Sequence, residues 1–151
     1  MLELLVAGSM LTITLLLIVP DRQPHNKLIK QWSSLFHLKV KYTSRYSESF
    51  EVDIHDNEMY ISRYNKGTHD RDEYIYSIAH EFGHLIDHAY REYYNKEERD
   101  GLSAKAILRE EQRAWKIAKV LLESNNIYDK KKFDSLKNRC LEDYKKALKL
   151  K

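Results

Sequence analysis

Five consecutive residues, His80-Glu81-Phe82-Gly83-His84, form an H-E-x-x-H pattern that carries the strongest chemical signal in the sequence. On an α-helix, two histidines four positions apart lie on one face, so both imidazoles can bind a single Zn²⁺ ion. Glu81 then lies beside the ion and can take a proton from a bound water, whose pKa zinc lowers toward neutral. The pattern predicts a zinc site with Glu81 as the general base.

A catalytic zinc ion normally takes three protein ligands and leaves one position for water, so a third donor must come from elsewhere. Glu110 and Glu111, in a later helical segment, are the candidates. Glu111 falls within the apolar stripe of that segment, where a carboxylate is costly unless it is paired or binds a metal. This position favours Glu111 over Glu110. The alternative for Glu111 is a carboxylate at the rim of the core that pairs with a lysine or arginine.

Two further residues continue the helix that carries the motif. His88 follows His84 at the same spacing, but the helical rise puts its ring about 6 Å further along the axis, which argues against a ligand. Asp87 is one turn from His84 and is expected to orient an imidazole. A structural zinc site, closed by Asp87 or His88 as a fourth ligand, is the alternative.

Composition limits the class of protein. The 151 residues are 42% hydrophobic and 32% charged, which is typical of one folded domain and excludes a disordered chain. Four glycines and two prolines are too few for a β-sandwich rich in tight turns. The single cysteine, Cys140, excludes an intrachain disulfide and a multi-cysteine zinc site. A net charge of +3 does not indicate binding to nucleic acid, and none is expected.

Residues 1–20 are almost entirely apolar, with no lysine or arginine and one acid, Glu3. A run of roughly 18 apolar residues is just long enough to span a bilayer. Arg22, Lys27 and Lys30 follow the run, which places the rest of the chain in the cytoplasm. The sequence therefore predicts a hydrophobic N-terminal helix that anchors a single-pass membrane protein. The alternatives are a signal peptide, a buried helix, or a start codon placed too far upstream of a cytoplasmic protein.

Residues 21–151 are predicted to form one domain, with its core in about residues 25–125 and a basic helix over about 130–150. Period-two alternation predicts three strands, at residues 38–42, 50–54 and 59–64. Helical spacing predicts helices over residues 25–38, 73–94, 104–124 and 130–150. The expected fold is α+β: a small antiparallel sheet of about three strands packed on helices, with a zincin-like helix that carries the H-E-x-x-H motif.

The motif His80-Glu81-Phe82-Gly83-His84 is followed later in the chain by Glu111-Gln112-Arg113-Ala114-Trp115-Lys116-Ile117-Ala118. Together these two segments resemble the ImmA/IrrE family of zinc metallopeptidases, which carry an H-E-x-G-H helix and then a helix with E-x-x-A, an aromatic residue and Ala. The resemblance covers about residues 25–125; the apolar N-terminal run and the basic final helix lie outside it. It implies that His80, His84 and Glu111 bind zinc, that Glu81 is the general base, and that a short sheet precedes the motif helix in a small α/β core.

The family is common in phages, integrative elements and bacterial chromosomes, and known members cleave or regulate repressor-type transcription factors. The resemblance therefore implies a zinc peptidase that acts on a protein or peptide substrate, such as a repressor of a phage or mobile element. An oxyanion stabiliser is also needed. The candidates for it are Tyr60, Tyr90, Tyr93 and Tyr94.

Two other functions remain as alternatives. One is a non-catalytic, zinc-stabilised domain that binds another protein and is tethered to the membrane by residues 1–20. The other is a basic protein of the membrane surface, in which the final helix contacts anionic lipid and the H-E-x-x-H pattern is accidental. The presence of a metal site distinguishes the zinc peptidase and the zinc-stabilised binding domain from the membrane-surface protein.

Overall fold

A computed structural model describes residues 25–43, 51–53, 58–64, 70–95 and 103–150. The predicted N-terminal helix over residues 1–20 lies outside the described residues. The helices are α1 (Asn26–Leu35), α2 (Arg71–Asn95), α3 (Ala104–Ser124) and α4 (Lys130–Ala147). The strands are β1 (Lys39–Thr43), β2 (Glu51–Asp53) and β3 (Glu58–Ser62). Each predicted helix and strand in this part of the chain is confirmed, with ends that differ by three residues or fewer.

The predicted fold class, α+β with an antiparallel sheet, is wrong. The four helices have 10, 25, 21 and 18 residues, whereas the strands have only 5, 3 and 5, so the described chain is mainly helical. The strand order is β1-β3-β2. β1 pairs with β3 in parallel, and only β2 pairs with β3 antiparallel. Alternation of apolar and polar residues sets the faces of a strand but not the direction of its partner.

None of the four described helices combines the length and the apolar character that a membrane span requires.

The hydrophobic core lies where the sheet and α1 meet the three longer helices. Trp32 of α1 packs edge-on against Phe82 of α2, with ring centroids 5.4 Å apart. Met59 and Ile61 of β3 are fully buried on the sheet face that meets the helices. α3 and α4 complete the core with Ala118, Leu122, Phe133 and Leu136. Burial of this many large side chains is the main force that fixes α2, and with it the H-E-x-x-H motif.

Side-chain caps define where the three long helices begin. Asp70 Oδ1 accepts hydrogen bonds from the backbone N–H groups of Asp72 and Glu73, at 2.8 and 3.1 Å. Ser103 caps α3 and Asp129 caps α4 in the same manner. Each cap satisfies a backbone donor that the first helical turn leaves unpaired. The caps therefore help to fix the register of α2 and α3, which carry the candidate ligands.

Candidate metal centre

Helices α2 and α3 bring the three predicted ligands together. His80 Nε2 lies 3.2 Å from Glu111 Oε2, and His84 Nε2 lies 3.4 Å from Glu111 Oε1. One donor atom from each of the three residues lies within 4.8 Å of the other two. The group of His80, His84 and Glu111 (the donor group below) can therefore hold a metal ion.

The donor group is largely buried and leaves polar atoms unsatisfied. The side chains of His80 and Glu111 are each 8% exposed, and that of His84 is 17% exposed. His80 Nε2 and Glu111 Oε2 are buried atoms that have no hydrogen-bond partner, although they lie 3.2 Å apart. Unpaired polar atoms in a protein interior cost free energy. A metal ion bonded to both atoms would remove that cost.

The separations within the donor group suit a tetrahedral ion. Two ligands bonded to such an ion at about 2.1 Å lie about 3.4 Å from each other. The contacts of Glu111 with His80 and His84, at 3.2 and 3.4 Å, are close to that value. Each imidazole therefore lies at a ligand-like distance from one carboxylate oxygen of Glu111, Oε2 for His80 and Oε1 for His84.

The donor side chains change one another's pKa. Burial favours the neutral form of Glu111, but the imidazoles of His80 and His84 outweigh this effect and lower the pKa of Glu111 to about 2. Burial likewise lowers the pKa of His80, but the carboxylates of Glu111 and Glu81 outweigh it and the pKa of His80 is raised. Glu111 is therefore ionised at neutral pH, so its carboxylate oxygens are available to bind a cation.

Aromatic packing fixes the orientation of the His80 ring. Trp115, one turn after Glu111 on α3, stacks on His80 with ring centroids 4.3 Å apart and 25° between the planes. Phe133 of α4 packs edge-on against Trp115 at 5.4 Å. Three helices thus contribute to the placement of one imidazole. The sequence placed Trp115 only in the apolar stripe of α3, and its four-residue spacing from Glu111 is the signal that links it to the site.

Gly83 permits the close approach of α2 and α3 at the donor group. A Cβ atom at this position would lie 2.3 Å from the backbone carbonyl oxygen of Ala114, a distance that real Cβ contacts essentially never show. Ala114 lies three residues after Glu111, on the turn of α3 that faces the motif. The glycine within H-E-x-G-H therefore sets the helix separation at which Glu111 reaches both histidines.

Glu81 lies at the edge of the donor group. Its Oε1 is 3.3 Å from Nδ1 of His80, while the other ring nitrogen of His80 faces Glu111. The Glu81 side chain is 18% exposed, so it is more accessible than His80 or Glu111. This carboxylate can therefore orient the ring of His80 and can also meet a molecule that approaches from solvent.

Asp87 links the same two helices beyond the donor group. Its Oδ1 accepts a hydrogen bond of 2.9 Å from Arg113 Nε, and its side chain is only 6% exposed. Asp87, His88 and Glu110 are not members of the donor group found among the described residues. The expectation that Asp87 orients an imidazole stays a prediction. What the structure adds is an ion pair between α2 and α3.

Arg113→Met is expected to destabilise the protein by about 2 kcal/mol, because it leaves the buried Asp87 carboxylate without its guanidinium partner. Methionine keeps most of the side-chain volume, so lost packing contributes little. Lys116→Met, at an exposed position on the same helix, is the matched control and should change stability by less than about 0.5 kcal/mol. Urea unfolding of the metal-free proteins measures both values. Equal stabilities for the two variants would show that the ion pair contributes nothing.

Of the four predicted oxyanion stabilisers, Tyr60 has a described hydroxyl contact, and it lies on the sheet. The hydroxyl of Tyr60 donates a 2.6 Å hydrogen bond to Glu58 on the sheet. Tyr90 is 60% exposed. The side chains of Tyr93 and Tyr94 lie outside the described residues. The expectation that one of these tyrosines stabilises the oxyanion stays a prediction.

A tyrosine that the sequence analysis missed does lie near the site. The phenol of Tyr144 on α4 has a raised pKa, first through burial and then through the nearby carboxylates of Glu111 and Glu81. The sequence does contain a signal for Tyr144, since its spacing places it on the same helical face as Phe133 and Cys140. That spacing does not specify which residues of other helices the face will contact.

No protein-family model, no curated protein and no solved structure matches the chain. The resemblance to the ImmA/IrrE family therefore stays a prediction from the two motif segments. The capacity of His80, His84 and Glu111 to hold a metal ion rests on their geometry alone.

Proposed function

We propose that the protein is a zinc-dependent peptidase, with His80, His84 and Glu111 as zinc ligands and Glu81 as the general base. The observation that carries this proposal is the convergence of two imidazoles and one buried carboxylate at ligand distances. Two nitrogen donors and one oxygen donor form a ligand set of catalytic zinc sites. Magnesium and calcium prefer oxygen donors alone, so the two imidazoles favour zinc over either ion.

The number of donors favours a catalytic zinc over a structural one. Within the ranges that the structure describes, the donor group has three members. Structural zinc sites use four protein ligands, whereas catalytic sites use three and leave a position for water. His84 and Glu81 are the more exposed side chains of the centre. The coordination position left for water therefore faces the side on which a substrate can enter.

A zinc ion in the donor group would supply Lewis-acid activation of water and of the peptide carbonyl. Glu81 accepts one proton from the water whose oxygen attacks the carbonyl carbon. When the C–N bond breaks, Glu81 gives this proton to the leaving amine nitrogen. Trp115 and the buried Glu111 keep the imidazoles in place throughout, which limits the reorganisation that the reaction requires.

The substrate and the location are proposed from the sequence alone. A repressor-type regulatory protein of a phage or mobile element is the substrate that the family resemblance favours. A membrane tether through residues 1–20 is a prediction that concerns a segment outside the described residues.

One contact favours a second function, that of a zinc-stabilised domain that binds another protein without cleaving it. Glu81 touches Nδ1 of His80, which is the place taken by a partner that orients a metal-bound imidazole. If that is its whole role, the metal supports the fold and Glu81 does not act as a general base. The Glu81→Gln variant, considered in the Discussion, separates the two functions.

The zinc content of the purified full chain, prepared without chelators, tests the metal site. We expect one zinc per chain, and we expect His84→Ala and Glu111→Ala each to weaken zinc binding by more than about 100-fold. Even residues that only orient a ligand contribute about 10- to 100-fold to metal affinity. His88→Ala is the matched control, because it removes an imidazole from the same helix one turn further on and should keep the zinc.

Two outcomes would contradict the metal assignment. One is a folded chain that binds no zinc when Zn²⁺ is added. The other is equal loss of zinc from the His88→Ala and His84→Ala proteins, which would mean that His88 contributes to the metal site as much as His84 does. Peptidase activity is then measured on the zinc-loaded chain with a library of quenched fluorescent peptides.

A further inference from the structure

Trp115 lies between the donor group and the final helix. Its ring stacks on the imidazole of His80, with centroids 4.3 Å apart and 25° between the planes. Phe133 of α4 packs edge-on against the same indole at a centroid distance of 5.4 Å. Trp115 also lies one turn after Glu111 on α3, so one turn of helix carries a candidate ligand and the ring that stacks on another. The indole is therefore in contact with the metal centre on one side and with α4 on the other.

Core packing alone does not account for an indole at this position. Trp115 is 2% exposed, and its Nε1 is a buried atom that has no hydrogen-bond partner among the described residues. A buried N–H donor without a partner costs free energy, whereas phenylalanine would fill a core position without that cost. A metal ion cannot satisfy an N–H donor, as it can satisfy His80 Nε2 or Glu111 Oε2. What tryptophan offers in return is the aromatic face that attracts positive charge most strongly.

The stack is expected to be stronger when a metal ion is bound. An imidazole that ligates a divalent cation loses electron density and carries part of the positive charge. The face of an indole is negative, and it attracts positive charge within about 6 Å of the ring centroid. The 4.3 Å between the rings of Trp115 and His80 is well within that range. An interaction that favours the metal-bound state over the metal-free state adds to the affinity for the metal.

We propose that Trp115 is a positioning residue of the metal centre, whose indole orients the His80 ring for binding and stabilises that ring in the metal-bound state. This inference rests on the metal centre of the proposed function. It concerns metal affinity and coordination geometry, so its test does not require peptide cleavage. The alternative is that Trp115 only fills the core between α3 and α4. Its removal would then lower stability and leave the metal centre of the folded protein unchanged.

Trp115→Leu, in the full chain, removes the aromatic face and keeps an apolar side chain in the core. We expect zinc affinity to fall about 10- to 100-fold, the range for residues that orient a metal ligand. Trp115→Phe keeps a smaller aromatic face, so its zinc affinity should lie between those of the leucine variant and the unaltered chain. Competition for Zn²⁺ with a chromophoric chelator measures the three affinities, on samples that circular dichroism shows to be folded.

Trp32→Leu is the matched control, because Trp32 is the other of the chain's two tryptophans and is also 2% exposed. Trp32 packs against Phe82, which helical spacing places on a different face of α2 from His80 and His84. The same substitution there removes a buried indole of the same size from another side of the helix. We expect it to lower stability and to leave zinc affinity unchanged.

Cobalt gives a second measurement, which depends on coordination geometry. Co²⁺ is added to saturation to the unaltered, Trp115→Leu and Trp32→Leu chains, and the visible absorption is recorded, because the bands change with the arrangement of the ligands. We expect the bands of Trp115→Leu to be shifted or weakened and those of Trp32→Leu to match the unaltered chain. A loss of stability alone would not produce that difference.

Two results would overturn the role of Trp115. One is equal zinc affinity of the Trp115→Leu and unaltered proteins, and the other is an equal loss in the Trp115→Leu and Trp32→Leu proteins. A folded chain that binds no zinc would overturn the metal centre and this inference with it. A chain that binds zinc and cleaves no peptide would instead overturn the peptidase function alone, and the zinc and cobalt results would still decide on Trp115.

Discussion

Glu81→Gln is expected to abolish peptide cleavage while one zinc ion stays bound per chain. Glutamine has the shape of glutamate and keeps an oxygen acceptor, but it cannot take up the proton of the attacking water. A general base contributes about 10²- to 10⁴-fold to the rate, so kcat should fall by at least 100-fold. Initial rates of peptide cleavage, measured beside the zinc content of the same preparation, test this expectation.

The same variant decides between the two roles of Glu81. If Glu81 only orients His80, glutamine can preserve the contact with Nδ1 through its own oxygen, and little should change. Retained zinc with unchanged turnover would therefore contradict the role of general base. Glu110→Gln is the control, because it makes the same change of charge beside the ligand Glu111 and should leave both zinc and kcat unaltered.

The sequence predicted the donor group because each of its members follows from helical periodicity. His80 and His84 share a face of α2 by their spacing, and Glu111 was distinguished from Glu110 by its place among apolar residues. The structure buries Glu111 in the contact between α2 and α3, as an acid within an apolar stripe suggests. The local sequence pattern was sufficient to predict these three residues, because the helix face on which a residue lies depends only on its spacing from nearby residues.

What the sequence did not predict depends on contacts between distant elements. The alternation of apolar and polar residues predicted the three strands but not the parallel pairing of β1 with β3. Asp87 was expected to orient an imidazole, and its described contact is an ion pair with Arg113 on another helix. Tyr144 was missed because its proximity to Glu111 depends on how α4 packs along α3. Such partners are set by tertiary packing, which a single sequence pattern does not specify.

Gly83→Ala is expected to destabilise the protein by about 1 to 3 kcal/mol and to remove most of its zinc. Helix propensity alone predicts the opposite sign, since alanine is about 1 kcal/mol better than glycine within a helix. The new Cβ would meet the Ala114 carbonyl oxygen at 2.3 Å. Because that oxygen belongs to the backbone, it cannot rotate away, and α2 and α3 must separate at an overpacking cost. Glu111 moves with α3, whereas metal bonds tolerate changes of only about 0.2 Å.

The sign of the stability change therefore tests whether the helix contact or the helix propensity dominates at Gly83. Ala89→Gly, at an exposed position of the same helix, measures the propensity effect alone and should cost about 1 kcal/mol. Adding Ala114→Gly to Gly83→Ala should restore neither stability nor zinc, because the clash involves the backbone of residue 114 and not its side chain. Urea unfolding and zinc content of these proteins give both measurements. A Gly83→Ala protein that is more stable than the unaltered chain and keeps its zinc would show that α3 does not approach α2 this closely at the metal centre.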